Sequence, residues 1–534
     1  MGSSDSCIRK EGYHGLNTER RRPHPPLAPD SVVDSGRMSP TAPSNSSQLP
    51  LFHVVGFSGH RQIADEAGAS AAIHTALDWL RREAPGEWIG LSSVAIGGDQ
   101  MFVDQVLGLG MSWHVILPLP RAEFQKDFNA DEWAKVEQLL TKAEHARVIA
   151  ENGAREDAYL DCGMETVNDA DVLLAFWDGQ AARGKGGTAD VVDYAKSLGK
   201  PLIVIDAATL EIRRENFAAL ARDDANLAYL NGLPPVATSA TENPFRAADR
   251  IVAFQQKADS AASHGAPQFR LLIVSTVLFH VIATLIASAA LAFDLHFTAL
   301  PWVKLLCLTS ALAVALVLHY HHQHHNWVRC RLAAEFCRSA LATWGLPRAA
   351  PLFQDLDLAG VRGLTRALHI LHTRAANAQP VAMADFKSIY LEKRIDDQLA
   401  YYQRQENRAL PLHTRLKRGF WIATILALIS TAFYAVCHTL HAEVPHWVET
   451  VIFYFLPISL PVIAAAFISF ISINDLQRRV ARYREMRAVL EDSRKQVAFC
   501  QTWNSLERIV LKTERALLQE VLEWHSITSF AESH

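Results

Sequence analysis

FHVVGFSGHR occupies residues 52–61. Its opening, Phe52–Gly56, is a short β-branched and aromatic run of the kind that packs in a sheet. Gly56-Phe57-Ser58-Gly59-His60-Arg61 then reads as a turn in which two glycines and a serine let backbone N–H groups face an anion. His60 and Arg61 add donors, Arg61 with a planar fork that matches phosphate. A tight strand–helix turn with no ligand is the plainer reading of the same residues. The pattern recurs at Ala95-Ile96-Gly97-Gly98-Asp99-Gln100, where Asp99 either caps the helix Gln100–Leu109 or, with Gln100, meets a ribose or base. Trp177-Asp178-Gly179 ends another strand, and Arg183-Gly184-Lys185-Gly186-Gly187-Thr188-Ala189-Asp190 leads into a helix. The first turn of such a helix offers unpaired N–H groups and the positive end of a dipole. The Lys-Ser/Thr ending of a P-loop is missing. Three glycine-bearing turns at three strand ends point together to a phosphate-bearing ligand.

Outward from these turns, residues 51–210 alternate strand and helix. The expected strands are Phe52–Gly56, Ser93–Ile96, His114–Leu117, Val172–Phe176 and Leu202–Ile205. Amphipathic segments such as Ala64–Arg82, Asp131–Glu144, Asp157–Asn168 and Ala189–Ser197 lie between them. Apolar strands alternating with helices predict an α/β Rossmann-like parallel sheet, with ligands at the carboxyl ends of its strands. Residues 1–50 are rich in Pro, Ser and Arg, lack the apolar run of a signal peptide, and read as a disordered tail. Its Arg20-Arg21-Arg22 triplet either stays solvated or touches anionic lipid.

The second half predicts an all-α membrane region with four transmembrane helices and long cytoplasmic helices. Leu271–Phe293, Phe420–Leu440 and Thr450–Ile473 carry no charged side chain over 23, 21 and 24 residues. Leu305–Tyr320, extended by Trp302 and Val303 around Lys304, supplies the fourth span. Arg270, Arg329, Arg331 and Arg338 flank one side of the first hairpin, and Arg415, Lys417, Arg418, Arg478, Arg479 and Arg482 flank the same side of the second. The opposite connections hold Asp294, Glu443 and Glu449, with Lys304 as the one exception, placed to snorkel. The positive-inside rule places the sheet domain, the middle linker and both termini in the cytoplasm of a multi-pass inner-membrane protein. Asp475–Trp524 has neither Pro nor Gly, and unbroken would reach about 75 Å. Its apolar stripe, which shifts register near Trp503, packs either on a sister subunit or back on the helix Phe386–Leu410.

The whole chain of 534 residues is 20% charged and 49% hydrophobic, with a formal net charge of −4. That balance gives no case for nucleic acid as a partner. The seven cysteines form no CxxC pair, so no disulfide framework or zinc site is expected. His319, His321, His322, His324 and His325 crowd a membrane edge, as a metal site or, more plainly, a polar collar. His280 in the first span is expected to pack on a neighbour, and Pro457 and Pro461 are expected to kink the fourth. No span carries the acidic or basic residues of a proton relay, which argues against a pump.

Gly56–Arg61, Gly97–Gln100, His114–Pro118, Asp171–Asp178 and Gly184–Asp190 come in an order that resembles the SLOG superfamily of Rossmann-like nucleotide-binding domains. That superfamily includes phosphoribohydrolases and domains that bind nucleotides as signals. The hydrolases follow their glycine-threonine pair with two residues and a catalytic Glu; here that position is Val191. The resemblance therefore implies binding at Gly56, Ser58–Arg61, Gly97–Gln100, Trp177, Asp178, Gly184, Gly186–Thr188 and Asp190, with no catalytic residue and no metal. The segment Tyr390–Gln398 with Tyr401 and Tyr402, closed by Thr513-Glu514-Arg515 and Trp524, is similar to the SLATT domain. That family is a two-transmembrane effector found with SLOG domains or nucleotide-generating enzymes in bacterial conflict systems. The hairpin 270–320 reads as a second, diverged unit of the same type.

The expected organisation is a tail (1–50), a SLOG-like domain (51–260), a first hairpin (270–320), a helical linker (321–384) and a SLATT-like unit (385–528). The expected function is a nucleotide-sensing membrane effector, pore-forming or membrane-perturbing, in antiphage defence. It would form a homo-oligomer in the lipid bilayer, with a nucleotide-derived ligand and no cofactor. The alternative is a membrane-anchored N-glycosidic hydrolase of a nucleoside phosphate or NAD-like molecule, its carboxylate supplied by Asp190, Asp178 or Asp99.

Overall fold

The β-rich runs assemble into one sheet in a computed structural model that describes residues 47–149, 154–182, 184–236, 243–320, 323–348, 352–353, 360–376 and 381–530. Most of the expected tail, including its basic triplet, lies outside the described residues, as do the side chains of His319, His321, His322 and His324. The sheet domain runs β1 (Phe52–Gly59), α1 (Glu66–Glu83), β2 (Glu87–Ser92), α2 (Gly98–Gly108), β3 (Ser112–Leu117), α3 (Arg121–Phe124), α4 (Ala130–Leu140) and β4 (His145–Val148). It continues through α5 (Arg155–Asp169), β5 (Val172–Trp177), α6 (Thr188–Ser197), β6 (Leu202–Asp206), β7 (Ile212–Glu215) and α7 (Ala225–Asn231).

The strand order is β4-β3-β2-β1-β5-β6-β7, parallel throughout except for β7. β1 to β4 build outward in one direction, and β5 starts again on the other side of β1. That reversal makes β1/β5 the switch point where an open α/β sheet leaves a crevice. The parallel sheet with helices on both faces is therefore as the sequence predicts, with local differences. β1 continues to Gly59, so Gly56 and Ser58 lie inside a strand rather than in a turn. A Cβ at Gly56 would press on Thr166 of α5 and on Ala170 just after it. β2 precedes the expected Ser93–Ile96, because the Asp99 carboxylate takes the N–H groups of Ser93 and Ala95 and pulls that segment out of the ladder. Val94 there sits at φ +61°. β4 and β7, each four residues long, are edge strands that the sequence reading missed.

The helical half runs α8 (Asp249–Ala292), α9 (Ala299–Tyr320), α10 (Gln323–Ala342), α11 (Arg362–Ala376), α12 (Met383–Tyr390), a π-helical turn Leu391–Asp396 and α13 (Asp397–Thr439). α14 (His446–Val448), a second π-helical segment Glu449–Phe455, α15 (Leu456–Ile473), α16 (Leu476–Phe499) and α17 (Trp503–Phe530) complete it. Among the described residues four helices are long and apolar enough to cross a membrane: Leu271–Ala292, Ala299–Val317, and stretches within Met383–Thr439 and His446–Phe499. α8 packs on α9, α13 on α15, and α15 also on α8. In lipid such packing depends on close fit and interhelical hydrogen bonds. The Ser288 and Ser459 hydroxyls meet at 2.9 Å between α8 and α15, and the Phe467 ring fills the space beside Gly419. His280 is exposed, and its Nδ1 lies 2.8 Å from the Thr276 carbonyl of its own helix. Pro457 follows directly on the π-helical segment, where the helix has already widened.

The expected continuous helix 475–524 is broken at Cys500–Thr502, where Cys500 turns extended. The register shift near Trp503 is that turn, and α17 folds back on α16 and α10. Leu476, Val480, Tyr483, Met486 and Leu490 of α16 cluster with Tyr402 and Ala409 of α13, so the stripe is buried within its own chain.

One hydrophobic core crosses from sheet to helices. Phe52, Ile89, Leu91 and Ile116 belong to the same cluster as Phe336, Leu364, Leu368 and Tyr390. Within that core Arg394 (4% exposed) makes two bonds to the fully buried Glu514, at 2.9 and 2.5 Å, and Tyr390 donates to Glu514 at 2.9 Å. Arg394 also reaches Ser339 of α10 at 3.3 Å. Removing one partner of such a pair leaves a buried charge uncompensated. Glu514→Ala should cost about 3–5 kcal/mol, read as a lower unfolding midpoint in detergent. Arg394→Met combined with Glu514→Leu should recover most of that loss; failure to recover it would show that the polar geometry itself holds the helices.

Candidate functional site

The carboxyl ends of β1 and β5 are zipped together by His60 and Asp178. His60 donates its N–H to the Phe176 carbonyl at 3.3 Å and accepts from Gly98 N–H at 3.0 Å. Its Nε2 lies 3.0 Å from the Asp178 N–H and 3.2 Å from Asp178 Oδ1. Asp178 also accepts from the Gln180 N–H, and that bond together with His60 holds its carboxyl below the usual range. Trp177 closes β5 and donates Nε1–H to the Gln180 carbonyl at 2.8 Å.

Glycine is demanded at two of the turns. Gly97 has φ +87°, and a Cβ there would overlap the Arg61 carbonyl. Gly186 has φ +81° and packs on the backbone of Tyr159 and Leu160. The Arg61 guanidinium stands 5.8 Å from the Tyr159 ring centroid. Tyr159, unnoticed in the sequence, is thus the post between the β1 turn and the Gly184–Asp190 turn. Asp127 holds it, accepting from the Tyr159 hydroxyl and from Arg155. Only the i, i+4 spacing of Arg155 and Tyr159 on α5 hinted at this.

The glycine turns spend some of their donors internally. Gly98 N–H goes to His60, Gly187 N–H to the Gly184 carbonyl at 3.3 Å, and Gly186 N–H to Asp190 Oδ2 at 2.8 Å. The following N–H groups, Asp99 and Gln100 on α2 and Thr188, Ala189 and Asp190 on α6, are those a helix start leaves without an intrahelical acceptor. They have no acceptor among the described residues.

The candidate carboxylates are occupied. Asp99 accepts from Ser93 Oγ (2.5 Å), Ser93 N–H and Ala95 N–H, so it neither caps α2 nor faces the crevice. Its burial outweighs those bonds and lifts its pKa to about 6. Gln100 beside it is 5% exposed. Asp190 closes the Gly186 turn, and Val191, 2% exposed, packs against the sheet. The structure thus gathers Gly59, His60, Arg61, Gly97, Gly98, Trp177 and Asp178 at the switch point and brings Gly186–Asp190 up to them across Tyr159. Gly184 is exposed beside them. Gly56, Ser58 and Asp99 serve the strand and its loop instead.

The amino ends of the same strands meet the helical half. Arg366 of α11 pairs with Asp171, and Arg374 pairs with Glu87 and, at 2.5 Å, with Glu144. Arg374 also lies 5.1 Å from the Phe52 ring centroid. Between α11 and the sheet is a cavity of about 750 Å³ lined by His114, His145 and His369 with Arg147 and Asp171. Burial and neighbouring cationic groups lower His145 to about 4 and His369 to about 3. Glu144, despite its burial, is held at about 2 by His114 and Arg374.

Residues 390–524 match the family described as SMODS and SLOG-associating 2TM effector domain 1. Residues 253–388 match SMODS and SLOG-associating 2TM effector domain 3. The helical half therefore carries two SLATT effector domains in tandem, the first holding α8–α11 and the second nearly all of α13–α17. Neither match extends over the sheet domain. No curated protein matches the chain.

Asp99→Ala would leave three donors without an acceptor and should cost about 2 kcal/mol in a chemical melt. The two lowered imidazoles have a definite sign. The unfolded chain binds protons that the docked imidazoles refuse, so their contribution is complete above about pH 6.5 and is lost as pH falls toward 4. The unfolding free energy should fall between pH 7 and pH 5 by about 1–2 kcal/mol per imidazole, and His145→Gln with His369→Gln should flatten that slope.

Proposed function

We propose that this chain is a membrane effector governed from its sheet domain. A nucleotide-type phosphate ligand seats on the open N–H groups of α2 and α6 beside Arg61, and its binding shifts the four spans toward a leaky or conducting state. The observation that carries the reading is the layout of β1. One end of this strand forms the rim at Gly59, and the other, about 23 Å away, brings Phe52 against Arg374 of α11. Rim and effector are two ends of one rigid element with a shared core. Because Asp99, Asp178 and Asp190 are engaged by their own turns and Val191 is buried, the reading is binding without turnover.

Such a ligand can move the spans only through different affinities for two arrangements of the rim. The arginine-rich flanks on the sheet-domain side, against Asp294, Glu443 and Glu449 at the far ends of the hairpins, favour a cytoplasmic sheet domain in a bacterial inner membrane. The SLATT pair favours a role in bacterial conflict, including antiphage defence. Exposed Leu305, Leu308, Leu312 and Leu316 on α9 suit lipid or a sister copy, and conduction would call for several copies.

Gly187→Asp is the test. Gly187 is the N-cap of α6 with φ −72°, which Asp adopts readily, so the fold should hold while the carboxylate fills and repels the anion seat. Proteoliposomes with a potential-sensitive dye and a panel of nucleoside mono-, di- and triphosphates give the readout. At least one nucleotide should collapse the potential with the native chain, and the variant should insert normally yet not respond. Silence toward the whole panel, or an equal response in the variant, overturns the proposal.

A further inference from the structure

A second cavity, of about 400 Å³, lies on the seam between the two SLATT domains. α10 of the first domain forms one wall, and the Leu391–Asp396 turn, α13 and α17 of the second form the other. Five basic side chains line it, Arg331, Arg338, Lys393, Arg394 and Arg404, against three acidic ones, Glu335, Asp397 and Glu520. Glu335 is shared between Arg331 (3.2 Å) and Arg338 (2.5 Å), Arg338 also pairs with Asp259 at 3.0 Å, Lys393 with Glu392 at 3.1 Å and Arg394 with Glu514, so the lining charges are largely paired and the open donor is on Arg394. Tyr401 and Tyr402 add aromatic surface.

Two observations separate this cavity from ordinary packing space. Lys393 and Arg394 sit in a π-helical turn, a conformation that proteins use in single turns to re-aim side chains at working sites. Arg394 is almost wholly buried, and although Nε and Nη2 are bonded, Nη1 has no acceptor among the described residues. A buried guanidinium donor without an acceptor is costly and calls for a partner. The volume lies in the range of small-molecule sites.

We propose that the seam cavity binds a compact phosphate-type anion, a phosphomonoester or pyrophosphate group, and that the bound anion fastens one two-span domain to the other. The same chemistry comes from a soluble metabolite or from a lipid headgroup. This site is distinct from the rim on the sheet domain and does not rest on it.

The experiment uses the full chain in detergent, titrated with sodium pyrophosphate at constant ionic strength against a chloride control, with thermal unfolding as readout. Pyrophosphate should raise the unfolding temperature. Lys393→Gln with Arg404→Gln should weaken its apparent affinity about tenfold, the loss expected for one or two charge-assisted contacts. Arg404 is exposed and Lys393 half-buried, so the double variant should fold. Gly187→Asp should keep the pyrophosphate response, which separates this site from the rim. A parallel arm uses phosphatidylcholine vesicles with and without phosphatidic acid. Stabilisation confined to the phosphatidic acid vesicles, and lost in the double variant, assigns the cavity to a lipid headgroup. No stabilisation in either arm, or equal stabilisation in the double variant, overturns the proposal.

Discussion

The sheet cannot leave the helical half without uncovering its own strands. Phe52, Ile89, Leu91 and Ile116 point from one face of the sheet into a core completed by α10, α11 and α12. Burying such side chains contributes about 1.5–3 kcal/mol each, more than exposed ion pairs give. The apolar contact therefore supplies the adhesion, and Arg366 and Arg374 of α11 fix its orientation through Asp171, Glu87 and Glu144. A domain tethered by a flexible linker could tumble; this one is packed into the effector region.

That packing divides the strands into two working ends. The carboxyl ends carry the glycine turns, His60, Asp178 and the open helix starts. The amino ends carry the arginine clamp and the three imidazoles. A parallel sheet transmits displacement along its strands because it is buried on both faces and close-packed.

Within the helical half, stability and adaptability are placed apart. The Arg394–Glu514 pair pins α12 and α13 to α17, and Ser339 extends the link to α10 across the domain boundary. Buried ion pairs often gain little over apolar packing, yet they discriminate strongly between registers. Closer to the far end of the hairpins the spans are held by lighter contacts, such as the Ser288–Ser459 bond. The two π-helical segments lie at the base of α13 and the start of α15.

Much of the architecture was legible in the residues. The alternation of apolar strands with amphipathic helices revealed the parallel sheet, and uncharged runs of some twenty residues revealed the spans. β4 and β7 were not legible, because four-residue edge strands such as Ile212–Glu215 carry charge and too little pattern. The Asp99 carboxylate looked like a helix cap or a ligand contact, and only the path of residues 93–95 shows that it serves its own loop. Gly56 looked like part of a turn until the length of β1 placed it in the sheet. Periodicity, apolar length and glycine placement are local properties, and the sequence by itself determined what they govern: a sheet, four helices of membrane-spanning length and glycine-bearing strand ends. Tertiary structure alone decided that Arg366 meets Asp171 across 195 residues and that Arg394 meets Glu514 across 120, because such pairs form only when distant segments share one core and water is excluded between them.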